Sequence, residues 1–216
     1  MAITIQITDG ASPVIERAQR VLRSGAVERV MGQTAAEAVR EHLSGLDSTR
    51  PNMLGGRRTH FWGAAAKSTS WEAQPGEATV SINQVGIRQR LLGGRIVPTK
   101  GKYLTIPASP DAYGRRAGQF DNLRFGFAVN PQGNLQPALV EAGAPAASFG
   151  GRPKDGSRAV KRGAGVGGKV MFWLVTQVYQ QADPSVLPST KQLEDVAVSA
   201  ANRFIARQLA KGGRNG

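Results

Sequence analysis

GAGVGGKVMFWLVTQVY, residues 163–179, decides the fold. Its first half spells G-x-x-x-x-G-K, the skeleton of a phosphate-cradling loop. Accepting that reading would commit the chain to nucleotide chemistry. Such a loop needs glycines that let backbone N–H groups converge on phosphate, a Lys for the β/γ-phosphates and a Ser or Thr for Mg²⁺. It must also open a helix, whose N-terminus supplies the anion-binding field. Here Val170 occupies the hydroxyl position, and RPKDGSRAVKR upstream has no strand character. VMFWLVTQVY downstream is dense in β-branched and aromatic residues and reads as a buried strand over Val170–Val178. The glycines therefore belong to a flexible cationic limb that leads into a core strand.

Working outward from that strand, Asp183-Pro184 and Leu187-Pro188 punctuate a turn. Ser189 and Gln192 form a Ser-x-x-Gln capping box that opens a C-terminal helix. Leu193, Val196, Ala200 and Phe204 make one stripe of it, with Ala197, Ala201, Ile205 and Leu209 beside them. A stripe that wide predicts packing on a sheet or on a second subunit. Arg203, Arg207 and Lys211 fall in its last turns, where the helix dipole favours cations.

Upstream, LRFGFAV and LQPALVE flank the turn Asn130-Pro131-Gln132-Gly133-Asn134 and predict a hairpin. RIVPTKGKYLTIP reads as two short strands folded over Thr99-Lys100-Gly101, with Pro98 and Pro107 at strand ends or on an edge. ATVSINQVGI, residues 78–87, alternates as a strand, and residues 47–76 read as a polar connection. Residues 12–46 carry helical spacing through Ile15, Ala18, Leu22, Ala36, Val39 and Leu43, with a break expected at Gly25 or Gly32. AITIQIT, residues 2–8, predicts a half-buried first strand. This order of elements predicts an α+β fold over residues 1–216 as a single domain. An antiparallel β-sheet would carry a long N-terminal helix and a C-terminal helix packed on it.

The chain has 216 residues, 28 Lys and Arg, 15 Asp and Glu, and a formal charge of +13. That imbalance favours polyanions or acidic protein surfaces as partners. Cysteine is absent, which excludes disulfides and thiolate metal sites. Neither a signal-peptide pattern at the N-terminus nor a run of about 20 apolar residues is present, so a soluble protein without a membrane partner is expected. Residues 142–169 hold 8 Gly and 6 Lys or Arg against one Asp. Such an extended basic interaction loop cannot bury enough apolar area to offset an ordering entropy of roughly 1–2 kcal/mol per residue. Self-association would supply the support that the lone subunit lacks.

Catalytic signatures are missing. His42 and His60 lack companions at metal-ligand spacing. Ser148 is not in a nucleophile elbow, and Asp111, Asp121, Glu141 and Asp155 do not recur at a pairing interval. A non-enzyme without metal or cofactor is expected. Arg152, Lys154, Arg158, Lys161, Arg162 and Lys169 are instead placed to contact DNA phosphates or a partner surface. With Phe149 the only aromatic in the loop, base stacking is not expected. These cations also fit a cytoplasmic, sequence-nonspecific nucleic-acid-binding protein.

LGGRRTHFWGAAAKSTS (54–70), GIRQRLLGGRIVPTKGKYLTIPASPDAYGRRAGQFDNLRF (86–125) and MFWLVTQVYQQADPSVLPS (171–189) resemble virion-morphogenesis proteins of long-tailed bacteriophages. These are the head–tail joining, neck and tail-completion proteins. The resemblance implies a small α+β subunit, assembled in the host cytoplasm into a homo-oligomeric, six-fold ring at the neck or upper tail of the virion. The connector or portal and the tail tube would be its neighbours, with genomic DNA in the channel.

Overall fold

A computed structural model describes residues 12–50, 55–56, 58–142 and 168–211. Among the described residues there are five α-helices: α1 (Ser12–Arg23), α2 (Ala26–Thr49), α3 (Phe61–Lys67), α4 (Ile87–Leu92) and α5 (Thr190–Ala210). Eight strands accompany them: β1 (Thr69–Gln74), β2 (Glu77–Ile82), β3 (Gly94–Ile96), β4 (Leu104–Pro107), β5 (Leu123–Val129), β6 (Leu135–Glu141), β7 (Val170–Val175) and β8 (Val178–Gln180). Pairing is antiparallel throughout, as the α+β reading requires. The strands are shared among three sheets, β1-β2, β3-β8 and β4-β7-β6-β5, and do not form the one sheet expected. The first predicted strand and nearly all of the basic loop lie outside the described residues.

The chain divides into two compact units. The first holds the described residues up to Thr49, His60–Leu92 and those from Asp183 onward. It is organised by α2, whose Val27, Gly32, Ala36, Val39 and Leu43 are buried at helical spacing. The helical break falls at Gly25, where φ is +68°, a backbone geometry that costs glycine little. Gly32 continues the helix and serves a different end. A Cβ there would lie 3.2 Å from Ala78 and from the Trp71 ring, so its absence lets the β1–β2 hairpin approach α2 closely. Val39 and Leu43 pack with Trp62, Ala65 and Ala66 of α3 and with Val186. The α5 capping box is formed as predicted, and its buried Ala197, Ala200 and Ala201 give α5 a low profile where it packs on α2. Val196, expected in the buried stripe, stays partly open to solvent.

Residues 47–76 are not a polar connection. Helix α2 runs to Thr49, and α3 and β1 come later within the segment. Phe61, Trp62 and three alanines supply an apolar face beneath a polar-looking sequence, and β1 buries alternate residues from Thr69. The strand predicted over 78–87 ends at Ile82, and Ile87 begins α4.

The second unit holds the described residues of 50–59 together with 93–182. The predicted hairpin β5–β6 forms, with Leu123 opposite Glu141 and Val129 opposite Leu135. Asn130 closes its turn by accepting N–H groups from Gln132 at 3.1 Å and Asn134 at 2.9 Å. The 94–107 segment is not a hairpin: β3 pairs with β8, and β4 pairs with β7. Both partners come from the predicted strand over 170–178, which ends at Val175 and resumes as β8 at Val178. The two halves serve different sheets. Phe172 and Met171 pack with Ala112, and Phe120 meets Phe172 edge-on at 5.7 Å.

Leu43, fully buried in α2, should lose about 2–5 kcal/mol of stability on Leu43→Ala, read by urea unfolding. Ser189→Ala should cost about 1 kcal/mol through the lost cap. The Gly76 N–H donates to Glu28 Oε1 at 2.9 Å, which with Glu28's own backbone N–H lowers this carboxyl below its usual range. A lowered folded-state pKa contributes stability above the unfolded value and loses it as pH falls through the folded one. Glu28→Gln should therefore flatten the acid limb of stability below the ordinary carboxylate range, measured as thermal midpoint against pH.

Candidate functional site

Of the six cations singled out in the sequence, only Lys169 lies within the described residues. Its Nζ makes an ion pair with Asp111 Oδ2, and its carbonyl accepts the Glu141 N–H at 2.9 Å. Both contacts lie within the second unit, so part of this charge is already engaged. Strand β7 comes directly after Lys169, at the place where a phosphate loop would require a helix N-terminus.

Other cations are distributed over the surface. Arg20 and Arg23 are exposed on α1, and Arg88 and Arg90 on α4. Some are held by aromatic faces: Arg115 lies 4.0 Å from the Phe120 centroid, and Arg90 lies 5.2 Å from Phe61. Among the described residues, no group of three or more His, Cys, Asp or Glu could hold a metal ion. No helix among them is long and apolar enough to cross a membrane.

The two histidines have defined partners. His42 Nε2 lies 2.9 Å from the Ser185 carbonyl, which requires the proton on Nε2 and ties α2 to the turn before α5. His60 sits just before α3 with φ +50° and ψ +34°, a left-handed geometry uncommon for a residue with a Cβ. Asp47 explains why it is tolerated. One Asp47 oxygen pairs with His60 Nδ1 at 2.9 Å, and the other accepts the Gly63 N–H at 3.1 Å. A single carboxylate thus anchors the imidazole and satisfies an orphan donor at the start of α3. The residues stand 13 apart in sequence, with no motif to connect them.

The second unit presents a different kind of surface. Strand β5 forms one end of the four-stranded sheet. Leu123, Phe125, Phe127 and Val129 alternate onto one face, opposite Glu141, Leu139, Pro137 and Leu135 of β6. At the Leu123 end, Leu123 and Leu139 pack with Ala117 and Phe120 against the cluster of Ala112, Met171 and Phe172. Beyond them Phe125 is 55% exposed, Phe127 51%, Val129 47% and Leu135 70%. The two phenylalanine rings stack edge to face at 5.5 Å. This is a contiguous apolar patch whose chemistry is contact with another apolar surface. The strand and its alternation are readable in the sequence, but the exposure of this face is not.

Comparison with family models, with curated proteins and with solved structures finds no match to this chain.

Asp47→Ala should lower stability by about 0.5–2 kcal/mol, the range for losing a side-chain cap. Asp47→Asn should recover part of it, because an amide oxygen can still accept the Gly63 N–H. Equilibrium unfolding of the two variants separates these outcomes.

Proposed function

We propose that this chain is a structural, non-enzymatic subunit of a tailed-phage virion, forming a homo-oligomeric ring at the head–tail interface. Its role would be tail completion, tail termination or neck adaptation, and its neighbours the connector or portal and the tail tube. The observation that carries the assembly part of this reading is the open apolar face of β5 and β6. A monomeric protein that binds nucleic acid through cations alone has no use for it, whereas a subunit buries it against protein. The net charge of +13 supports contact with DNA in a channel or with acidic surfaces of adjacent rings. The resemblance of residues 54–70, 86–125 and 171–189 to virion-morphogenesis proteins supplies the location.

That same charge favours a second reading, a cytoplasmic nucleic-acid-binding protein that acts without sequence preference. The two part company in purified particles. The virion reading expects the chain at the neck or upper tail by labelled electron microscopy. The rival expects it absent there, with tight, salt-sensitive DNA binding by the isolated monomer. Replacing Arg152, Lys154, Arg158, Lys161, Arg162 and Lys169 together by Ala should reduce the yield of infectious particles at least tenfold. An unchanged yield would refute their role in assembly or DNA retention.

A further inference from the structure

We infer that the outer edge of β5 is a self-pairing edge, built to receive the same strand of a second copy of this chain in antiparallel, two-fold register. The inference rests on the reading of the β5–β6 face as an assembly surface, and names what covers it.

Backbone parity comes first. The Ala142 N–H donates to the Asn122 carbonyl at 2.7 Å, and the Asn130 N–H to the Asn134 carbonyl at 2.9 Å. Both pairs continue the β5–β6 register, so the even-numbered residues of β5 turn their peptide groups toward β6. Leu123, Phe125, Phe127 and Val129 turn theirs outward, with four N–H and four C=O groups unpaired among the described residues. An edge of this kind calls for a strand as its occupant, because only another backbone satisfies such a row.

The strand is then complementary to itself. A two-fold axis at Gly126 sets Leu123 opposite Val129 and Phe125 opposite Phe127 of the second copy. Every outward-facing group is matched, giving eight inter-copy hydrogen bonds. Arg124, the only charged residue of β5, falls opposite Ala128, so no like charges meet. Shifting the axis by one residue leaves outward groups at one end without partners. The aromatic rings of the two copies would continue one apolar face across the junction.

The opposite edge of the sheet does not offer the same site. The Ala108 N–H donates to the Met171 carbonyl at 2.8 Å, so Leu104 and Ile106 face β7, while Thr105 and Pro107 face outward. Pro107 has no N–H to give, and its position blunts that four-residue edge. β5 has seven residues and no proline, bulge or lysine to protect it. A head-to-tail β5-to-β4 pairing would leave most of the β5 edge unmatched, and the two-fold pairing leaves none.

The exposed parts of Phe125, Phe127, Val129 and Leu135 amount to on the order of 400 Å² per copy, taking a whole aromatic side chain at about 200 Å². That is below the about 800 Å² per partner of a standard stable interface, so the expected association is weak and concentration-dependent. A two-fold contact is distinct from the head-to-tail contacts that close a ring, and both can coexist in one assembly.

Sedimentation of the full chain from low to high micromolar concentration tests this. The expected result is a shift from the 22.9 kDa monomer toward twice that mass. Phe125→Glu with Phe127→Glu places carboxylates opposite carboxylates and should abolish the shift. Because the chain has no cysteine, Arg124→Cys with Ala128→Cys offers an independent readout. Four residues apart along one strand is about 13 Å, too far for an intrachain bond. Oxidation with copper phenanthroline should give a covalent dimer with both substitutions, and at least tenfold less with either alone. A wild-type chain that stays monomeric throughout overturns the inference. So does association that survives both glutamates, which would place the occupant elsewhere, or equal cross-linking by a single cysteine. Any of these results leaves the ring reading to its own trial in purified particles.

Discussion

Strand β7 is hydrogen-bonded on both sides, to β4 and to β6, and the second unit depends on that double pairing. It brings together segments far apart in the chain and places Phe172, only 1% exposed, between them. An irregularity in the β6–β7 ladder between Leu139 and Val140 shifts the register without breaking the pairing. Beyond Val175 the chain soon forms β8 against β3, so a single run of apolar residues closes two sheets in succession. Loss of the Phe172 ring would remove the partner of Phe120 and the apolar floor against which the turns at 110–119 pack.

In the first unit the corresponding constraint is α2, whose faces are allotted to different neighbours. Its buried stripe takes α3 and the hairpin, and α5 packs on it with Ala197, Ala200 and Ala201 among its own buried residues. Arg40 donates to the Thr69 carbonyl at 2.8 Å, and Asp47 holds both His60 and the first turn of α3. The helix therefore positions its neighbours through polar side chains as well as apolar ones. These polar ties link α2 to the entry and exit of α3, which is too short to be stable by itself.

Local signals were the legible ones. Ser189 and Gln192 announce the start of α5 three residues apart, and the Asn130–Asn134 turn announces the β5–β6 hairpin within five. Failures track sequence distance. Nothing in RIV or YLTIP distinguishes pairing with each other from pairing with strands about 65 to 86 residues away, because a three- or four-residue strand carries no register of its own. α3 was hidden because glycine and charged neighbours mask a short apolar face that has meaning only against Val39 and Leu43. The candidate surface was half legible: alternation in LRFGFAV places Phe125 and Phe127 on one face, but whether a face is covered depends on the whole topology. Of the basic residues proposed from composition, Lys169 could be placed, and it is spoken for by Asp111.

The two ends of the four-stranded sheet are unlike, and the difference sets a limit on growth. The β5 margin carries no proline, whereas at the β4 margin Pro107 has no N–H to offer a further strand. A protein with two receptive margins would risk runaway polymerisation at high concentration. Were two sheets to join at the β5 margin, Pro107 at the far margin would act as a chain terminator and cap the intermolecular sheet.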